Sequence, residues 1–166
     1  MDKRVISLLV DNTAGVLSRV SGLFSRRGYN IRSLTVGETA DPRFSRMTVV
    51  ATGDEQLLTQ IIHQLEKLID VRDIKILHED SAVVRELILL KVKASAQNRM
   101  EILSVCEIFR ANIVDVGKES LVIELIGGDA KLAAFIELLS AYTILELGRT
   151  GATALSRGCD DVTHLE

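Results

Sequence analysis

One short segment near the amino terminus carries residue types suited to holding a small charged ligand. Asn12-Thr13-Ala14-Gly15-Val16-Leu17 joins an apolar, strand-like run to a helix-like run. A helix start offers unpaired N–H groups and the positive end of the helix dipole, and both suit a carboxylate. Gly15 would let a ligand approach the backbone closely, and Asn12 has an amide that both donates and accepts hydrogen bonds. The alternative is plain capping of the helix by Asn12 or Thr13.

No constellation for catalysis or metal binding accompanies this segment. The zinc-protease, CxxC, GxSxG and phosphate-loop motifs are all missing from the sequence. The histidines His63, His78 and His164 lie far apart in the chain, and we interpret His63 as a surface residue and His78 as solvated. Cys106 is predicted in a helix core and Cys159 in a polar tail, a spacing that favours neither a disulfide nor a metal site. We therefore expect no catalytic residue, no metal and no cofactor in this chain.

Hydrophobic periodicity predicts the elements that position the segment. Strands are expected over residues 4–10, 31–36, 47–51 and 71–78. One helix follows Gly15, and Gly28 is placed to end it in a left-handed conformation. A second helix is opened by Gly53-Asp54. The predicted order is β-α-β-β-α-β.

The same order repeats in the second half of the chain. Asn30-Ile31 and Asn112-Ile113 mark matching points of the two halves. The sequence therefore predicts an α+β protein of two ferredoxin-like βαββαβ domains. The predicted domains are residues 1–80 and 81–166, and the second includes a Gly-rich tail from residue 148.

The candidate ligand segment is not repeated. With the halves aligned on those Asn-Ile pairs, Asn12 falls on Ala94 and Gly15 on Gln97. If the fold alone required the Asn/Gly loop, both halves would be expected to carry it. This difference favours a ligand site in the first half only.

Composition excludes several classes of protein. The chain has 166 residues, of which 47% are hydrophobic and 26% charged, with a net charge of −3. No apolar run approaches the roughly 20 residues of a membrane helix, so no membrane span is expected. With two Tyr, four Phe, no Trp and no basic stripe, the chain is not suited to nucleic acid. The amino terminus lacks a signal-peptide pattern, so we expect a cytoplasmic protein.

The predicted strands are apolar on both sides. Val5 and Leu9 would face one side of the first strand, and Ile6 and Leu8 the other. With both helices on one face of a four-stranded sheet, the other face needs a cover. We expect either that the two halves stack, or that the chain forms a homodimer, or both.

The loop and its surroundings resemble a known family. Asn12-x-x-Gly15-x-Leu17 after a first strand, in a βαββαβ unit, resembles the ACT domain, a small-molecule sensor that often binds amino acids. Gly15–Val20 and Gly22–Val36 are similar to the signature of the acetolactate synthase (acetohydroxyacid synthase) small subunit. The similarity extends to three further segments, Ser45–Thr48, Asn112–Val116 and Ser156–Gly158.

The resemblance implies a non-catalytic regulatory subunit in branched-chain amino-acid (valine, isoleucine, leucine) biosynthesis. In this family the catalytic large subunit carries thiamine diphosphate, magnesium and FAD. The small subunit activates it and confers feedback inhibition by valine. By the resemblance, valine would bind between one chain and a partner chain. The residues implied are Asn12, Gly15, Val16 and Leu17 of one chain, with Asn30 and Ile31 of the other.

Two other functions remain open on the sequence. The first is a free-standing ACT-type amino-acid sensor that acts on another enzyme. The second is a small ferredoxin-like enzyme. Copurification of a large thiamine enzyme would separate the first from a regulatory subunit, and acetolactate formation by the purified chain alone would indicate the second.

Overall fold

A computed structural model describes residues 2–26, 28–53 and 55–159 of the chain. Met1, Arg27, Asp54 and the last seven residues, which include His164, lie outside the described part. Two compact units are present. The first consists of residues 2–84 and 152–159, and the second of residues 85–151.

The first unit has the predicted βαββαβ order. Its elements are β1 (Asp2–Asp11), α1 (Val16–Arg26), β2 (Ile31–Glu38), β3 (Phe44–Gly53), α2 (Glu55–Leu65) and β4 (Val71–Leu77). The sheet order is β2-β3-β1-β4 and every neighbouring pair is antiparallel. After α1, Gly28 has a φ of 69°, and the Tyr29 N–H donates to the Phe24 carbonyl at 3.0 Å. The left-handed glycine predicted to end α1 is confirmed.

The core of this unit lies between the sheet and its two helices. Alternate residues of β1 and β3 point into it, because side chains alternate across a strand. Helix α1 adds residues at i, i+4, i+7 and i+8, which form one helical face. The fully buried set includes Ile6, Leu8, Val10, Val20, Phe24, Met47, Val49 and Ile61.

The second unit repeats the same plan. Its elements are β5 (Ala82–Lys93, of which residues 82–84 belong to the first unit), α3 (Arg99–Phe109), β6 (Asn112–Val116), β7 (Ser120–Gly127), α4 (Asp129–Leu139) and β8 (Ile144–Arg149). The sheet order β6-β7-β5-β8 matches that of the first unit. The expectation of two ferredoxin-like domains is confirmed.

The structure corrects the predicted domain boundary. Residues after 151 form a further strand, β9 (Thr153–Ser156), which pairs with β5 and packs with the first unit. Ala152 and Ala154 lie in one buried cluster with Val5 and Val50, on the sheet face away from the helices. We call this face the outer face. The expected bare face is therefore covered in part by the chain's own tail, which was predicted to belong to the second domain.

Two neighbouring substitutions in β9 should differ sharply in effect. Ala154 is 1% exposed and Leu155 is 55% exposed. Ala154→Asp would bury an unpaired charge, so we expect it to lower the free energy of unfolding by about 3 kcal/mol or more. Leu155→Asp should change it by no more than about 0.5 kcal/mol. Urea denaturation of both full-length variants measures this, and equal stability would show that β9 does not cover the sheet.

Candidate functional site

The β1–α1 loop has the geometry of an anion site. Gly15 has a φ of 89°, a conformation that side-chain-bearing residues rarely adopt. Its carbonyl accepts the first hydrogen bond of α1, from the Arg19 N–H at 3.0 Å. Within the described residues, the N–H groups of Leu17 and Ser18 have no hydrogen-bond partner. The loop thus presents free donors at the positive end of a helix.

Asn12 holds this loop in place with its whole amide group. Its Nδ2 donates to Glu38 Oε1 at 3.0 Å and to the Pro42 carbonyl at 2.9 Å, and its Oδ1 accepts from Ser45 Oγ at 3.1 Å. Both amide hydrogens are used, so a ligand could reach only the second lone pair of Oδ1. Neither Asn12 nor Thr13 accepts a side-chain hydrogen bond from α1 in the described chain. Plain helix capping does not explain these residues.

Arg19 is a site residue that the sequence reasoning missed. Its Nε and Nη2 donate to the two Asp70 carboxylate oxygens, at 2.6 and 2.8 Å. Among the described residues, Nη1 has no hydrogen-bond partner. A Cβ built on Gly15 would lie 2.9 Å from that Nη1. The spacing of Gly15 and Arg19, one helical turn apart, is the signal that could have found it.

A second ion pair fixes the end of β1. Arg72 donates to both oxygens of Asp11, at 2.7 and 2.6 Å. These hydrogen bonds, and the charge of the guanidinium, hold the pKa of the Asp11 carboxyl below its usual value. Together with Arg19–Asp70, the pair ties the β1–α1 loop to the start of β4.

The two apolar residues predicted for the site have different surroundings. Val16 is 3% exposed and packs in the core, so its side chain is not available to a ligand. Leu17 is 46% exposed and lies at the open start of α1. Of the two residues, Leu17 therefore provides the exposed apolar side chain of the loop.

Asn30 and Ile31 lie at the other end of the same sheet. Ile31 pairs with Ala51, which pairs with Arg4, whereas the loop follows Asp11. Asp11 follows Arg4 by seven residue steps along the strand, a distance of about 23 Å at about 3.3 Å per step. Asn30 is exposed, and its side chain has no hydrogen-bond partner in the described chain. The structure does not bring the two groups of predicted site residues together within one chain.

The corresponding loop of the second unit is occupied by its own chain. Arg99 Nη2 donates to the carbonyls of Ala94, Gly117 and Lys118, at 3.1, 2.8 and 2.7 Å. This guanidinium satisfies three carbonyl oxygens around the loop. In the described residues the N–H groups of Met100 and Glu101 at the start of α3 have no hydrogen-bond partner either. The second unit thus lacks the Asn/Gly pattern, and its loop is instead held by the Arg99 side chain.

Comparisons with known proteins agree with these features. A family model for the ACT domain of acetohydroxyacid synthase small subunits matches residues 6–73, and one for the small subunit of acetolactate synthase matches residues 85–158. A probable acetolactate synthase small subunit of Methanothermobacter thermautotrophicus is 49% identical, over 95% of this chain and 94% of the relative. The chain belongs to the acetolactate synthase small subunit family.

Other members of the family extend the match. The small subunit of acetolactate synthase isozyme 3 from Escherichia coli is 46% identical, over 94% of this chain and 96% of that relative. The crystal structure of the acetolactate synthase small subunit from Thermotoga maritima superposes with a TM-score of 0.89 at 38% identity. It covers 96% of this chain and 99% of that one. The family resemblance and the ACT domain expected from the sequence are confirmed.

Three further observations concern a metal site, the two cysteines and a membrane span. No group of three or more His, Cys, Asp or Glu side chains in the described residues is arranged to hold a metal ion. Burial raises the pKa of the Cys106 thiol, and Cys159 is exposed. In the same part of the chain, no helix is long and apolar enough to cross a bilayer. A cytoplasmic location and a chain without cofactor stay predictions.

The Asp11–Arg72 pair should contribute stability that depends on pH. Because the pKa of Asp11 is lowered by folding, the contribution is present above the unfolded value of about 3.9 and is lost as pH falls through the folded pKa. Arg72→Gln should therefore lower the free energy of unfolding at pH 7 and have a smaller effect near pH 3. Urea denaturation at the two pH values measures this. An equal loss at both would show that Arg72 acts by packing.

Proposed function

We propose that this chain is the non-catalytic regulatory subunit of an acetolactate synthase. It would activate the catalytic large subunit and confer feedback inhibition by valine. The near full-length similarity to small subunits of this enzyme supports the assignment. Thiamine diphosphate, magnesium and FAD would then belong to the large subunit, as the family resemblance implies.

The effector site would be divided between two chains of a homodimer. Strand β2 is an edge of its sheet, and an edge strand can pair with a second copy of itself. Antiparallel pairing about a two-fold axis between Leu34 and Thr35 would set Ile31 opposite the partner's Glu38. Glu38 holds Asn12, so this pairing would carry Asn30 and Ile31 of one chain to the loop of the other. The observation that carries the proposal is the position of β2 at the sheet edge, with Glu38 bonded to Asn12 of the loop.

Each part of an amino acid would find a matching group there. The free N–H groups of Leu17 and Ser18, with Arg19 Nη1, would bind the carboxylate. The Asn30 carbonyl oxygen would accept from the ammonium group, because the Asn12 amide is largely used within its own chain. Leu17 and Ile31 would contact the branched side chain.

A divided site makes inhibition a property of the dimer. Valine would bind only where two chains meet in the right register, so its binding energy would favour that arrangement over others. The large subunit would respond to the arrangement and not to valine itself. By reciprocity, a large subunit that prefers another arrangement would weaken valine binding by the same factor.

Mixing two defective variants tests the division of the site. Leu17→Ala and Asn30→Ala alter exposed side chains, so both should fold and activate the large subunit. Each should resist valine, with an inhibition constant raised roughly 5- to 100-fold for the loss of about 1–3 kcal/mol. In an equal mixture about half of the dimers would be mixed, and each would contain one intact site. Valine inhibition should therefore partly return.

Controls make the outcome decisive. Ile108→Ala also removes an exposed apolar side chain, 78% exposed, but in the second unit, and should keep full inhibition. Sedimentation should show at least a dimer at micromolar concentration. Mixtures that stay fully resistant would place both residues in one site of one chain. A monomer, or no stimulation of any acetolactate synthase large subunit, would overturn the proposal in favour of a free-standing sensor.

A further inference from the structure

The two helices of the second unit expose apolar side chains on the side away from their sheet. Met100 and Ile108 on α3 are 69% and 78% exposed, and Leu138 on α4 is 52% exposed. On each helix the outward residues recur every four positions, so they form one stripe. We call the two stripes together the α3–α4 surface, which consists of Met100, Ser104, Ile108, Ala130, Ala134 and Leu138.

The two stripes belong to one continuous surface, because the helices lie against each other. The ring centroids of Phe109 on α3 and Phe135 on α4 are 5.3 Å apart. The hydroxyl of Tyr142, just after α4, donates to Glu101 in the first turn of α3 at 3.0 Å. The helices therefore run antiparallel, with the start of α3 beside the end of α4.

The first unit carries no apolar side chain at the corresponding positions. The buried residues of the helices align α3 with α1 and α4 with α2. In this alignment the residues that replace the α3–α4 surface are Ser18, Gly22 and Arg26 on α1, and Gln56, Gln60 and Gln64 on α2. The fold is thus complete without apolar residues on this side of its helices. Apolar residues that the fold does not require indicate a partner.

Carboxylates edge the α3–α4 surface. Glu101, Glu107 and Glu137 are exposed, and in the described part of the chain none of them has a lysine or arginine within ion-pair distance. Arg99 donates to loop carbonyls, so Lys131 is the only exposed basic residue of these two helices, both of which are described in full. The surface is therefore apolar with a negative edge.

This charge distribution selects among the possible partners. Two copies packed antiparallel through α3, about an axis at Ser104, would set Glu101 of one copy opposite Glu107 of the other, and like charges would face each other. Nucleic acid and anionic lipid would be repelled for the same reason. The partner that fits is a different protein, with apolar side chains edged by lysine or arginine.

We propose that the α3–α4 surface docks the catalytic large subunit, on an apolar patch of that subunit edged by basic residues. The identity of this partner rests on the proposed function, whereas its chemistry rests on the surface itself. The effector site proposed above uses only residues of the first unit. Docking strength and valine affinity would therefore be set by different residues.

Residues taken from the first unit provide the test. Met100→Ser with Leu138→Gln places at two exposed positions the residues that the same fold carries in the first unit, so stability to urea should be unchanged. The concentration of full-length small subunit that gives half-maximal activation of the large subunit should rise roughly 10- to 100-fold. Gln56→Ala with Gln60→Ala, a matched pair of exposed changes on α2, should leave it unchanged.

The acidic edge gives a second readout. Glu107→Gln with Glu137→Gln should weaken docking roughly 3- to 10-fold at low salt, because an attraction between exposed charges is lost. Docking of the wild type should weaken as salt is added, and docking of this variant should depend less on salt. Tighter docking by the variant, or an unchanged dependence on salt, would overturn the inference of a basic partner surface.

Sedimentation of the small subunit alone tests the alternative occupant. Met100→Ser with Leu138→Gln should have the same oligomeric state as the wild type. A smaller assembly would assign the surface to a second copy and overturn the inference. Activation by this variant at wild-type concentrations would overturn it as well, and would leave the proposed function intact.

Valine inhibition separates docking from the proposed function. Measured at saturating small subunit, the inhibition constant should be that of the wild type in all these variants and in Ile108→Ala, because added protein offsets weaker docking. A changed constant in Met100→Ser with Leu138→Gln would show that the surface acts on the effector site, and would overturn the inference. A wild-type chain that stimulates no large subunit would overturn the proposed function and this inference together.

Discussion

Strand β1 must be buried on both faces, and the rest of the first unit follows from that constraint. Every residue from Val5 to Val10 is at most 6% exposed. The helices cover the β1 side chains that point to one face of the sheet. The alternate side chains point to the outer face and need a second cover. Strand β9 supplies part of it through Ala152 and Ala154, whose small side chains let two backbones approach closely. Strand β1 is thereby packed on both faces, and this packing fixes the position of its two ends.

The fixed carboxyl end of β1 positions the β1–α1 loop that follows it. Asn12 and two ion pairs tie the loop that follows β1 to the β2–β3 loop and to β4. A loop held from three sides can keep N–H groups unpaired without collapsing onto them. In the second unit the equivalent loop is held by one residue, because Arg99 donates to three carbonyls around it. The same fold thus fixes this loop in two ways, by an amide with ion pairs in one unit and by a guanidinium in the other.

The sequence predicted the fold well because its signals are local. Apolar periodicity and the Gly28 cap placed the helices and strands, and the internal repeat gave the two domains. The Asn12–Leu17 loop was found because helix starts have known chemistry. Two features depend on contacts between distant residues and could not be found this way. Asp70 orients the Arg19 side chain, and the tail packs as β9 on the first unit, whereas the sequence analysis had assigned it to the second domain.

Strand β2 connects the two parts of the proposed effector site. Its edge would carry the dimer contact, and its last residue, Glu38, holds the Asn12 amide at 3.0 Å. A change in how two β2 strands pair would therefore reach the loop of the same chain through this hydrogen bond. Valine bound at the loop would in turn favour one pairing over another.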